Sequence, residues 1–134
     1  MADVYEISIA MDLRDDLSDG ELGELRRHLG LDPSPGTVET GSLLGHHGEA
    51  WKVGGALTSV LAPRRAGGWA LTVRQEIHPD QYDEVGDLIA WLAARATDRH
   101  TRFDGSVHVG WIRFYDCEQP DSLVVRDGRT VWPS

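Results

Sequence analysis

Cysteine and long apolar runs are both scarce in this chain. Its 134 residues include one cysteine, Cys117, so no disulfide can form within the chain. No apolar run near the N-terminus is long enough for a signal peptide or a membrane-spanning helix. We therefore expect one α+β domain over residues 1–134, in a reducing, cytoplasmic setting and without a membrane partner.

Positive charge is scarce too. The chain has 13 lysine and arginine residues against 22 aspartate and glutamate residues, a net charge of −9. Residues 1–49 hold 11 of the acidic residues and only 3 of the basic ones. Because a surface of this sign repels phosphate backbones, a nucleic-acid partner is not expected. The acids serve solubility, or alternatively the acidic N-terminal third captures a basic partner protein.

Motifs for metal, nucleotide or nucleophile chemistry are missing as well. His46 and His47 are adjacent in a glycine-rich stretch, but no HExxH or CxxC spacing accompanies them. Residues 36–42, GTVETGS, have the glycine spacing of a phosphate loop without its lysine. Cys117 lies between two acidic residues, which disfavour a reactive thiolate. The sequence therefore predicts neither a metal nor a cofactor.

Hydrophobic periodicity predicts alternating strands and helices. Residues 4–11 alternate as a half-buried strand, and Ser18 with Glu21 forms a capping box for a helix that ends near Leu29. Residues 32–55 predict a long connection with short strand pieces near Val38 and at 51–53. A hairpin follows from Ala56, and a helix with Pro79 at its first position runs on to about residue 96.

The C-terminal third predicts strands only. Residues 107–115 predict a last long strand, and Asp127-Gly128 marks a terminal hairpin. This order predicts a ferredoxin-like βαββαβ fold, with an antiparallel sheet and two helices on one face. The long connection would precede its second strand, and the C-terminal β-hairpin would be appended to it.

Such a fold leaves one face of the sheet without helices. If Ile7, Ile9 and the matching apolar residues of the hairpin face the helices, their polar neighbours face the other way. The candidate binding residues on that face are Glu6, Arg74, Glu76, Trp111, Arg113 and Tyr115. Arginine and large aromatic residues are typical of interfaces and ligand clefts.

Three interpretations of this residue set stay open at the level of sequence. The set forms cross-strand ion pairs covered by aromatic rings, contributes to a sheet-to-sheet homodimer, or lines a cleft for a small organic ligand. The leading hypothesis is a binding or assembly module that forms a homodimer through the open face or an edge strand. The alternative is a small enzyme with Glu6 or Glu76 as general base and Arg74 or Arg113 holding an anion.

Overall fold

The computed structural model describes residues 3–31 and 43–133, which form seven strands and two α-helices. In chain order these are β1 (Tyr5–Leu13), α1 (Asp19–His28), β2 (Gly48–Glu49), β3 (Ala56–Pro63), β4 (Trp69–Ile77), α2 (Tyr82–Ala93), β5 (Val107–Phe114), β6 (Asp121–Arg126) and β7 (Arg129–Val131). Short 3-10 turns at Pro79–Gln81 and Asp98–His100 flank α2. Within these residues, no helix is both long and apolar enough to cross a membrane.

All seven strands belong to one antiparallel sheet in the order β2-β3-β4-β1-β5-β6-β7. The central strand β1 pairs with β4 along its whole length and with β5 over residues 5–9. Its odd-numbered side chains from Ile7 to Leu13 are buried in a cluster that both helices share. The alternation of apolar residues thus directs one face of β1 and β4 into the core.

The ferredoxin-like βαββαβ prediction is wrong, because the sheet has seven strands and the domain is mostly sheet. The long connection adds β2, which pairs with the start of β3. The C-terminal hairpin is not appended to the sheet but continues it, since β6 pairs with β5 from Val107 to Ile112. Buried Leu123 and Val125 on β6 extend the same core. Apolar burial beyond β5 is therefore the physical reason for the wider sheet.

The structure confirms the predicted start of α1. The Ser18 hydroxyl accepts a hydrogen bond from Glu21 N at 3.1 Å, and the Glu21 carboxylate accepts one from Ser18 N at 3.0 Å. These two bonds satisfy backbone donors that the first turn of a helix leaves free. The helix ends at His28, followed by Gly30 with a φ of 67°.

Two predictions about the long connection have different outcomes. The strand piece expected at residues 51–53 is wrong, since the short strand there is β2 and residues 51–53 form a bend. The piece expected near Val38 lies outside the described residues, as does the GTVETGS stretch. Gln75, buried in β4, donates to His46 O at 2.8 Å and accepts from His46 N at 3.1 Å. This pair of bonds fixes the returning chain against the sheet.

A β-bulge between His108 and Gly110 changes which face each residue of β5 occupies. Strict alternation would place Val109 on the same side as Trp111, yet Val109 is buried in the core together with Ile112. The one extra residue shifts the register by one, so His108 joins Trp111 on the other face. Strict alternation along β5 would instead have placed His108 on the core side with Ile112.

Candidate functional site

Most side chains on the face of the sheet opposite the core cluster are exposed or half-buried, and we call this face the open face. One cross-strand row passes through it at Thr58, Arg74, Ser8, Trp111 and Ser122. A second row joins Val60, Thr72 and Ala10, and a third joins Glu76, Glu6 and Arg113. The register therefore brings five of the six predicted site residues onto one surface, and Tyr115 follows directly after β5.

The Glu6 carboxylate lies between two guanidinium groups. Its Oε2 is 2.6 Å from Arg74 Nη2, and its Oε1 is 3.0 Å from Arg113 Nε. Only 17% of the Glu6 side chain is exposed, so these charge-assisted bonds are shielded from water. The remaining donors reach backbone oxygens, because Arg74 bonds Ala56 O and Arg113 bonds Cys117 O. The three side chains form a cross-strand clamp over β4, β1 and β5.

Glu76 holds a bend of the backbone rather than another side chain. Its carboxylate accepts hydrogen bonds from Trp51 N at 2.6 Å, Lys52 N at 2.7 Å and Val53 N at 3.1 Å. Burial raises the pKa of Glu76, but the three backbone donors and nearby His46 outweigh it and bring the pKa below its ordinary value. Glu76 is therefore a charged anchor for residues 51–53, which cover one end of the open face.

Tyr115 lies next to the bend at residues 51–53 and contacts its Lys52 side chain. The Lys52 ammonium lies 4.9 Å from the centre of the Tyr115 ring and 5.0 Å from that of Trp51. A cation in this position is attracted by both ring faces. The contact ties the bend at residues 51–53 to the end of β5, and so Tyr115 closes this end of the open face.

Trp111 is a half-exposed aromatic residue on the open face. It is 48% exposed, and its ring meets the His108 ring edge-on at 5.4 Å. The pKa of His108 lies below its ordinary value because of burial and the charges of Arg102 and His100. A neutral imidazole beside an indole makes this flank of the face apolar at pH 7.

The side of the open face formed by β3, away from Trp111, carries small exposed side chains. Thr58 and Val60 on β3 are exposed, as are Thr72 on β4 and Ala10 on β1. Sequence reasoning did not place Thr58 and Val60 on the face, although the alternation Leu57, Ser59 against Thr58, Val60 carries that signal. The open face thus has a high edge at β5 and a shallow floor over β3, β4 and β1.

A separate cleft of about 260 Å³ lies between α1 and α2. Its lining includes apolar Leu25, Leu88 and Trp91 and acidic Glu24, Glu84 and Asp87. Glu24 pairs with Arg27, and within the described residues Glu84 and Asp87 have no ion-pair partner. Trp91 lines this cleft, and the Arg95 guanidinium lies 3.9 Å from the centre of its ring.

The histidines of the connection bond to backbone oxygens instead of to one another. His46 Nε2 is 3.1 Å from Glu49 O, and His47 Nε2 is 3.0 Å from Leu29 O. Across residues 3–31 and 43–133, no group of three or more His, Cys, Asp or Glu side chains is arranged to hold a metal ion.

The comparisons with known proteins add no functional information to this geometry. No protein-family model, no curated protein and no solved structure matches the chain.

Proposed function

We propose that the protein is a binding and assembly module that forms a homodimer through its open face. The observation that carries the proposal is Trp111, an indole held half-exposed on the uncovered side of the sheet. Tryptophan is the residue type most enriched among the anchors of protein interfaces. A face with an exposed aromatic anchor on each copy suits a symmetric contact, since a two-fold axis repeats the same patch on both partners.

The charges of the open face favour contact with another surface. The Glu6 carboxylate is paired with both Arg74 and Arg113, so covering the clamp leaves no carboxylate without a partner and desolvates one net positive charge. Glu76 is already held by backbone donors. The middle of the face is lined by small or uncharged side chains at Ser8 and Thr72. Desolvation of this surface therefore costs less than its content of charged residues indicates.

The size of the face is sufficient for a specific dimer. Five strands at ~4.8 Å spacing and eight residues at ~3.3 Å rise give roughly 600 Å² on each copy. Two such faces bury about 1,200 Å², the lower end of the range for specific interfaces. Interfaces at this lower end are typical of transient rather than permanent dimers.

The enzyme hypothesis gains less from the geometry. A general base needs a carboxylate that is free to take a proton near neutral pH. The carboxylate of Glu6 is engaged by two guanidinium groups, and the pKa of Glu76 is lowered. Neither residue is set up to accept a proton from a small organic substrate.

Capture of a basic partner is a second candidate, and it is favoured by the cleft between the two helices. Glu84 and Asp87 extend over its apolar lining without cationic partners among the described residues. A basic segment would pair with these carboxylates, and its binding would weaken steeply with salt. Binding of such a segment that is insensitive to salt would rule this candidate out.

Sedimentation velocity over 1–100 μM protein tests the dimer. We expect a dimer for the unmodified chain and at least a tenfold higher dissociation constant for Trp111→Ala, since an anchor of this kind contributes about 2 kcal/mol. Phe103→Ala is the matched control, because Phe103 is a fully exposed aromatic in the turn before β5. A chain that stays monomeric at 100 μM, or a dimer that Trp111→Ala leaves intact, would refute the proposal.

A further inference from the structure

We infer that the two copies are related by a two-fold axis running parallel to the strands between β1 and β4, which places each Trp111 on the partner's β3. This inference rests on the proposed function, because it specifies the register of the same contact. The inference follows from the unequal size of the side chains on the open face, which are large at Trp111 on β5 and small at Thr58 and Val60 on β3.

The positions of these side chains are set by the cross-strand rows. Trp111 lies in the row of Thr58, three strands away on the opposite side of the midline. Because the order of the inner strands is β3-β4-β1-β5, β3 and β5 are equally far from the line between β4 and β1. An axis on that line therefore places the β5 of one copy over the β3 of the other.

Among the in-plane axes that bring the open faces together, those parallel and perpendicular to the strands keep the two sheets aligned, and these two axes pair different residues. The axis parallel to the strands places Trp111 of each copy over Thr58 of the partner, and His108 near Val60 of the partner. An axis across the strands in the row of Trp111 places the two Trp111 rings against each other. Two indoles in contact would hold the sheets apart over β3, where the exposed side chains of Thr58 and Val60 are smaller.

Close packing decides between these arrangements. Interface cores are packed as densely as protein interiors, and gaps over apolar surface forfeit contacts on both sides. The axis parallel to the strands fits each indole into the shallow floor of the partner and leaves no such gap. The bend at residues 51–53 bounds the contact at the end where it covers Glu76.

One substitution distinguishes the two axes. Thr58 is exposed on β3, and a tryptophan is well accommodated on a strand. With the axis parallel to the strands, Thr58→Trp places a second indole where the partner's Trp111 sits, and the dissociation constant rises at least tenfold. With the axis across the strands, the same indole fills the gap over β3, and the dissociation constant falls or stays unchanged.

A distance measurement tests the register without altering the contact. The variant carries Asp121→Cys as the attachment point of a spin label and Cys117→Ser to remove the exposed native thiol. Asp121 is exposed at the start of β6, two and a half strand spacings from the proposed axis. Pulsed electron paramagnetic resonance should then give a distance of about 25–30 Å between the labels of the two copies, because the labels are five strand spacings of ~4.8 Å apart.

The outcomes separate the inference from the proposed function. A weaker dimer for Thr58→Trp, with unchanged thermal unfolding, and labels about 25–30 Å apart support the register. Labels less than ~15 Å apart, or an equal or tighter Thr58→Trp dimer, overturn the register while the loss caused by Trp111→Ala still supports the open-face dimer. Absence of a dimer in the unmodified chain overturns both.

Discussion

Replacing Glu6 by glutamine tests whether the clamp on the open face stabilises the sheet. Glutamine keeps the shape of the side chain but removes the negative charge between Arg74 and Arg113. The two guanidinium groups, which lie within 2.6 and 3.0 Å of the carboxylate, are then left without a counter-charge. Their side chains are only 29% and 23% exposed, so water replaces the lost partner poorly.

The size of the effect follows from these contacts. Each hydrogen bond to a charged group contributes about 1.5–3 kcal/mol, and the glutamine oxygen retains one neutral acceptor worth about 1 kcal/mol. The partial exposure of both arginines lowers the sum, because surface ion pairs contribute less than buried ones. We therefore expect Glu6→Gln to lower the free energy of unfolding by ~2 kcal/mol.

Urea unfolding followed by tryptophan fluorescence measures this loss. The experiment is best made in the Trp111→Ala background, so that self-association does not contribute to the free energy of unfolding. Glu118→Gln is the control, because this substitution removes the same charge from an exposed residue beyond the end of β5. A loss below about 0.5 kcal/mol for Glu6→Gln would show that the clamp is no more than a surface ion pair.

Three further predictions follow from the fold. Gly110→Ala should lower the free energy of unfolding by ~2–4 kcal/mol, as measured by thermal unfolding, because its Cβ would lie 1.9 Å from a carbonyl oxygen of β1. Gly23→Ala is the control: this glycine lies at an open helical position, and the substitution should raise the free energy of unfolding by about 1 kcal/mol. Glu76→Gln should speed amide hydrogen exchange at residues 51–53 about tenfold, and unchanged exchange would contradict its anchoring role. Burial, aided by nearby arginines and opposed by Asp12, holds the pKa of His100 below its ordinary value, so the folded state binds fewer protons than the unfolded state. The part of the free energy of unfolding that depends on His100 should be fully present above pH ~6.5 and be lost as the pH falls through the folded-state pKa. The free energy of unfolding of His100→Asn should lack this loss over the same pH range.

Local patterns in the sequence predicted the parts of the fold that local physics determines. The capping box of Ser18 and Glu21 forms because both bonds lie within one helical turn. The alternation along β1 and β4 places Glu6 and Arg74 on the same face, where the expected cross-strand ion pair is present. The roles of these residues in binding stay predictions, since contacts within one chain do not report on a partner.

The errors occurred where one distant contact changes the outcome. The extra residue at the bulge of β5 follows from how β5 and β6 pair, and no local pattern marks it. The bend at residues 51–53 is held by Glu76, more than twenty residues away in the chain. The sheet is wider than four strands because β6 buries Leu123 and Val125 beside β5, which depends on a core that periodicity alone does not measure.

The surroundings of the five tryptophans argue that Trp111 is kept for a contact outside the monomer. The other four each stack on a ring or a cation of the chain itself: Trp51 on Lys52, Trp69 on Arg26, Trp91 on Arg95 and Trp132 on Tyr82. Among the described residues the Trp111 ring meets the edge of the His108 ring and no cation, and it is 48% exposed, whereas the more exposed Trp51, at 64%, carries the Lys52 ammonium. Because about half of the indole is buried within the monomer, its removal should lower the free energy of monomer unfolding by roughly 1–3 kcal/mol and should also weaken the dimer. A Trp111→Ala chain that loses monomer stability but dimerises as before would assign the residue to folding alone and remove the main support for the open-face contact.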